Sequence, residues 1–148
     1  MSKILDWPPV WLIGFLGVVW AAGSWMPVPL LGGFDRTLGL ALGLAGGGLM
    51  AVAVVQMGLA RTTVVPRRAP NALVTTGIFA LSRNPIYLGD ALVLAGACLW
   101  FEAIPALPLV VLFMAVIQRR FIRGEEAVLR AHFGAEFDAW AAHTRRWA

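Results

Sequence analysis

Residues 38–60 form an apolar run in which Gln56 is the one strongly polar side chain. At ~1.5 Å rise per residue, a helix over this run reaches ~34 Å, enough to cross a hydrocarbon core of ~30 Å with some tilt. A charge-free run at 10–26 precedes it. Pro8-Pro9 and Pro27 flank that run, and Trp7, Trp11 and Trp25 lie near its ends, where amphipathic rings favour the membrane interface. It occupies the place of a secretory signal. Lys3 is a meagre positive region, however, and Trp25-Met26-Pro27 a poor cleavage neighbourhood, so the run reads as a retained helix. Of the 148 residues, 59% are apolar and 14% charged, against about half and about a quarter in soluble domains. The shortage of charge excludes a disordered chain.

The third apolar region, 86–122, is too long for one ordinary crossing. Phe101-Glu102-Ala103, Pro105 and Pro108 interrupt it, which predicts two short helices, 86–101 and 105–121, in a hairpin turned at Glu102. Short spans call for tilt or local thinning of the bilayer. The expected fold class is all-α: one polytopic membrane domain, 1–148, with about four transmembrane helices. Arg61, Arg67, Arg68 and Arg83 lie between the second and third spans, and Arg119, Arg120 and Arg123 at the end of the fourth. The other side carries only Arg36, partnered by the adjacent Asp35, and Glu102. By the positive-inside rule both termini are cytoplasmic. Segments 61–85 and 123–148 then converge on that face, and the expected location is a bacterial inner membrane. In 125–142, Val128, Leu129, His132, Phe133, Phe137 and Trp140 recur at helical spacing opposite Glu126, Arg130 and Glu136. This is an amphipathic helix, weakened at Gly134, that lies on the lipid surface or closes over the membrane domain.

Several classes of function drop out. The net charge of +4 would point to nucleic acid in a soluble protein, but in a membrane protein it marks the cytoplasmic side. Cys98 stands alone, which excludes an internal disulfide framework and a Cys-based zinc site, and no metal is expected. The glycines of the second span sit inside an apolar helix, so no phosphate-cradling loop is present. Gly39/Gly43 and Gly43/Gly47 have the spacing that lets helices approach closely, within the chain or in a homo-oligomer. His132 and His143 both fall in the tail and read as solvent-edge residues.

Polar residues remain at membrane depth or at its cytoplasmic rim, where ionisable groups face a cavity or a partner. Asp90 lies one turn inside the third helix, paired with an arginine such as Arg119 or in contact with a ligand. Pro85 keeps Asn84 out of the helical region and starts the third helix, so Ser82-Arg83-Asn84 forms a turn at a helix N-terminus suited to a carboxylate. Glu125-Glu126 read as the acidic start of the tail helix, as capping residues or as the complementary anion. A zwitterionic ligand fits between the two.

At these residues the sequence resembles the isoprenylcysteine carboxyl methyltransferase family and the related membrane phospholipid methyltransferases. Leu73-Val74-Thr75-Thr76-Gly77-Ile78-Phe79, followed by Arg83-Asn84-Pro85-Ile86-Tyr87-Leu88-Gly89, is similar to the family's cofactor segment. The family's second block is matched by Arg120, Glu125-Glu126, Leu129, Phe133-Gly134, Phe137, Trp140 and Arg145-Arg146-Trp147. The resemblance spans 71–147, half of the chain. It implies S-adenosyl-L-methionine bound at the cytoplasmic face by Asn71, Ala72, Leu73, Val74, Phe79, Asn84, Pro85, Ile86, Tyr87 and Glu125, with Glu125 receiving the methionine ammonium. Arg120 matches the substrate-side arginine, with Arg123 as its rival. Phe79 replaces a frequent Tyr, and Asn84 and Asn71 stand where eukaryotic members have His; Asn84 cannot titrate, which removes a general base there.

Methyl transfer from a sulfonium needs alignment more than acid–base help. A carboxylate acceptor of isoprenylcysteine type would be held by Arg120. A phospholipid or small-amine acceptor would be guided by Glu126. Either would be a lipophilic molecule entering from the membrane lipids between helices. Two non-enzymatic readings compete: a transport subunit, for which the first two spans carry little polarity beyond Ser24 and Gln56, and an assembly factor packing through its glycines.

Overall fold

The computed structural model describes residues 7–62 and 71–148, so Lys3, Arg67 and Arg68 lie outside the described residues. The described chain is helical: α1 (Pro8–Trp25), α2 (Phe34–Leu59), α3 (Pro85–Trp100), α4 (Pro108–Ile117), α5 (Arg123–Phe133) and α6 (Ala135–His143). Among the described residues there is no strand beyond an isolated Val28–Ala103 bridge. Proline opens α1, α3 and α4, where its fixed φ suits the first turn and its missing N–H costs no helical bond. Pro8–Trp25, Phe34–Leu59 and Ile104–Phe133 are long and apolar enough to cross a membrane, and α3 is a shorter apolar helix of 16 residues. Their outward faces carry Ile13, Val18, Trp20, Leu40, Leu44, Val55, Val111 and Leu112, all exposed, as a lipid-facing surface requires.

Two local expectations are corrected at the end where α1, α2 and the α3–α4 turn meet. Helix α2 begins at Phe34, ahead of residue 38, because Asp35 is buried and its carboxylate accepts the N–H groups of Leu30 (3.2 Å) and Leu31 (2.9 Å). Arg36 pairs with Glu102 (Nε–Oε1 3.4 Å) and not with Asp35, since adjacent residues on a helix point apart. Glu102 itself takes a positive φ of 54°, which turns the expected hairpin.

Helices α2 and α3 pack through reciprocal glycines. A Cβ on Gly39 would sit 2.6 Å from the Gly96 carbonyl oxygen, and one on Gly89 would sit 2.6 Å from that of Gly46. The contacting α2 glycines, Gly39 and Gly46, are thus one heptad apart, with Gly43 opposite Gly96 between them. Helix α1 closes over the other side, where Val19 is buried and Phe15 meets Phe113 edge-on at 5.4 Å.

The fourth apolar helix does not stop at residue 121. Gln118–Ile122 form a π-helical turn that carries α4 into α5 without a break, and the helix ends only at Gly134, with φ +51°. The tail expected as one helix over 125–142 is therefore α5, an extension of the fourth apolar helix, and the separate α6. Glu125 and Glu126 consequently do not start a helix: residue 122 ahead of α5 is already helical (φ −56°, ψ −44°), and the terminal dipole expected at this pair is absent.

Candidate cofactor and acceptor cavity

At the end of the bundle opposite the Arg36–Glu102 pair, a cavity of about 510 Å³ opens between α1, α2, α3, α5 and α6. That is a common size for a small-molecule site. Trp7, Pro8 and Pro9 contribute from the start of α1, Met50 and Met57 from α2. Ala72, Leu73 and Val74 supply the loop wall, with Phe79 from the 3-10 turn Gly77–Ala80. Asn84, Pro85, Ile86, Tyr87 and Asp90 line it from the N-terminal half of α3, and Glu125, Glu126, Val128 and Leu129 from α5. Phe137 and Trp140 complete it from α6, so the apolar face of the tail lies over the cavity.

The loop before α3 is fastened from both sides. Gln56, the one polar residue deep in the second apolar run, accepts the Ile78 N–H through Oε1 at 3.1 Å. The Trp140 indole N–H donates to the Phe79 carbonyl at 3.0 Å. The Arg83 N–H donates to the Arg145 carbonyl at 2.9 Å, and Asn84 Nδ2 to that of Arg146 at 3.0 Å. Asn84 N–H bonds Ser82 Oγ at 3.1 Å, which shapes the expected turn ahead of Pro85.

Glu126 is the centre of this fastening. Arg146 reaches it two-pronged, Nε to Oε1 at 2.9 Å and Nη2 to Oε2 at 2.7 Å, and Arg83 Nη1 approaches Oε1 at 3.1 Å. Burial pushes the Arg83 guanidinium below its ordinary value against the pull of Glu126, whereas the hydrogen bond to Glu126 raises that of Arg146. Both remain cationic at neutral pH. With its two oxygens held by arginines, Glu126 fastens the tail to the loop.

Its neighbour faces the cavity differently. The Tyr87 hydroxyl donates to Glu125 Oε1 at 2.8 Å, joining the start of α3 to α5 across 38 residues of sequence. Ala72, Leu73, Val74, Phe79, Asn84, Pro85, Ile86, Tyr87 and Glu125 are thus brought together around one space. Asn71 is not: it is exposed beside the cavity wall, its Nδ2 3.4 Å from the Arg61 carbonyl. Arg120 does not line the cavity either, and its guanidinium lies over the Trp11 ring, 5.1 Å from the centroid. Arg123 is exposed on α5, outside the lining. The expected Asp90–Arg119 pair is absent among the described residues, because Arg119 lies on an exposed face while Asp90 is turned into the cavity.

Sequence reading missed Met50 and Met57, which share a face of α2 but are hidden in a uniformly apolar run. It also missed Arg146 as the partner of Glu126; the signal was a basic end following an acidic pair, without a spacing rule to join them. The cavity combines a carboxylate at its rim with apolar walls. It also holds a buried Thr62 hydroxyl with no hydrogen-bond partner among the described residues.

A family model described as phospholipid methyltransferase matches residues 34–136, from the first residue of α2 into α6. No curated protein and no solved structure matches the chain.

Proposed function

The chain belongs to the phospholipid methyltransferase family, and on that premise we propose that it transfers a methyl group from S-adenosyl-L-methionine to a lipophilic acceptor. One observation carries the reading: Tyr87 and Glu125, from the two sequence blocks that bear the resemblance, meet at the rim of an apolar cavity. The bundle crosses the membrane four times, with α3 as the short crossing, and the amphipathic α5–α6 tail covers the cavity on the cytoplasmic side of a bacterial inner membrane. Arg61, Arg83, Arg145 and Arg146 at the cavity end support that orientation.

When bound, S-adenosyl-L-methionine supplies a methyl group already activated on a sulfonium. Glu125 receives the amino group of the cofactor's methionine part, and Tyr87 holds the Glu125 carboxylate in place through its hydroxyl. Leu73, Val74 and Phe79 exclude water from the adenosine side, which strengthens each electrostatic contact inside. Trp140, bonded to the Phe79 carbonyl, keeps that wall closed. The residues thereby align donor and acceptor, the main requirement for such a transfer.

For the acceptor, an amine-bearing lipid or small amine suits the lining better than a carboxylate. The cavity presents Asp90, Glu125 and Glu126, and the one lining arginine among the described residues, Arg83, is already engaged with Glu126 through Nη1. A carboxylate of isoprenylcysteine type is the second reading, favoured by the sequence resemblance; it requires Arg120 to turn from Trp11 toward the cavity. Detergent-purified protein is tested for cofactor binding by calorimetry. Labelled methyl transfer is then measured with phosphatidylethanolamine, small amines, fatty acids and prenylcysteine analogues. Cofactor binding with label on an amine is the expected result. Label only on prenylcysteine carboxylates would promote the second reading, and no cofactor binding would overturn both.

A further inference from the structure

Asp90 is the deepest α3 residue lining the cavity, about 7.5 Å below Pro85 at ~1.5 Å per residue. It is 7% exposed. No hydrogen bond or ion pair from any described residue reaches its carboxylate, and it lies among apolar walls. A carboxylate so placed is costly unless something pairs with it. At the same level the space is closed toward α2, because the Gly46 and Gly89 backbones of α2 and α3 touch and Met50 packs against Gly89. Asp90 therefore stands on the cavity floor, while Tyr87 and Glu125 stand at the rim.

We propose that Asp90 selects the methyl acceptor: its carboxylate receives the N–H groups of a protonatable nitrogen headgroup lodged on the cavity floor, and it rejects carboxylate acceptors. The role rests on the methyltransferase reading for its place in the reaction, while the selectivity follows from the cavity alone. An ammonium or amine at this depth gives the buried carboxylate the partner the protein does not supply, and the attached chain lies against Met50, Met57 and Trp7. A carboxylate headgroup would meet a like charge where apolar walls strengthen repulsion. Arg83 offsets this only in part: Glu126 already neutralises it through Nη1, although its buried Nε has no partner among the described residues.

The experiment compares dodecylamine with dodecanoate, probes of equal chain length and opposite charge, on the full chain in neutral detergent. Binding is followed by tryptophan fluorescence with and without S-adenosylhomocysteine, whose own affinity is measured separately. Wild type binds dodecylamine at least about ten-fold tighter than dodecanoate, the scale of one charge-assisted hydrogen bond. In Asp90→Asn and Asp90→Leu the ratio falls to within about three-fold, while S-adenosylhomocysteine affinity stays within about three-fold of wild type. Asp90→Leu keeps the test decisive if the amide folds poorly, because it replaces an unpaired charge with an apolar side chain. Equal or tighter dodecanoate binding by wild type, or an unchanged ratio in both variants, overturns the assignment. Loss of S-adenosylhomocysteine binding in wild type with the charge preference intact would sink the methyltransferase reading and leave Asp90 a cation-selecting group.

Discussion

The Tyr87 hydroxyl donates a 2.8 Å hydrogen bond to Glu125 Oε1, tying the first turn of α3 to the helix that follows the α3–α4 hairpin. Removing the charge at Glu125 removes the group proposed to receive the cofactor's ammonium. Glu125→Gln is expected to weaken S-adenosylmethionine and S-adenosylhomocysteine binding ten- to a hundred-fold, from about 1.5–3 kcal/mol for a charge-assisted bond. Calorimetry in detergent measures it. Unchanged affinity would remove Glu125 from the cofactor site.

Tyr87→Phe keeps the ring and deletes only the donor. It should weaken cofactor binding by several-fold, less than Glu125→Gln, and the two changes combined should fall short of their sum because the residues act as one unit. A full sum in the double-mutant cycle would mean that the hydroxyl contributes independently of Glu125.

Glu126 gives a contrasting phenotype. Glu126→Gln leaves Arg83 and Arg146 facing each other with no counter-charge, and Arg83 is largely buried (side chain 13% exposed). Stability should drop by about 2–3 kcal/mol, less than the roughly 3–5 kcal/mol for breaking a fully buried pair, because Arg146 is 38% exposed and partly solvated. Thermal unfolding in detergent reads this directly. A variant as stable as wild type would show that the two arginines find other partners.

The α2–α3 contact makes a sharper structural forecast. Any Cβ at Gly46 meets the Gly89 carbonyl at about 2.5 Å, so Gly46→Leu should cost about 3 kcal/mol or more or prevent folding. Gly48→Leu, where nothing lies within 4 Å of the added Cβ, should fold normally. Similar unfolding temperatures for the two variants would mean that the helices separate more easily than their packing indicates.

Orientation is tested by reporters inserted at Gly33, in the α1–α2 turn, and at the C-terminus. Opposite readings are expected, with the C-terminal one cytoplasmic. Identical readings would place the cavity and the Gly33 turn on the same side and overturn the four-crossing topology.

Much of this was legible in the chain, for reasons that differ residue by residue. The runs at 10–26 and 38–60 announce helices because an apolar segment of that length has few other uses. Tyr87 and Glu125 were legible because they sit in ordered blocks on either side of the hairpin. Asp90 was visible as an anomaly, but sequence offered Arg119 as a partner and could not show that the two side chains face different ways. Met50 and Met57 gave no signal, since a helix apolar all round does not declare which face borders a cavity. Polar Gln118-Arg119-Arg120 looked like the end of a helix; the π turn that carries the backbone through them depends on packing of buried Phe121 and Ile122. Arg36 looked paired with Asp35 by adjacency, whereas helical geometry sends one into the protein and the other to Glu102.

The bonds between the loop before α3 and the C-terminal tail also determine when the cavity can form. Ser82 and Arg146 are 64 residues apart, Asn84 and Arg146 62, and Phe79 and Trp140 61, so every bond that closes the loop onto the tail requires a long chain segment to be gathered first. Such closures carry an entropic cost that local helix pairing avoids. The glycine-to-glycine docking of α2 on α3 can be complete while the tail is still searching for its loop. A chain caught at that stage would be inserted and helical, yet unable to retain a ligand.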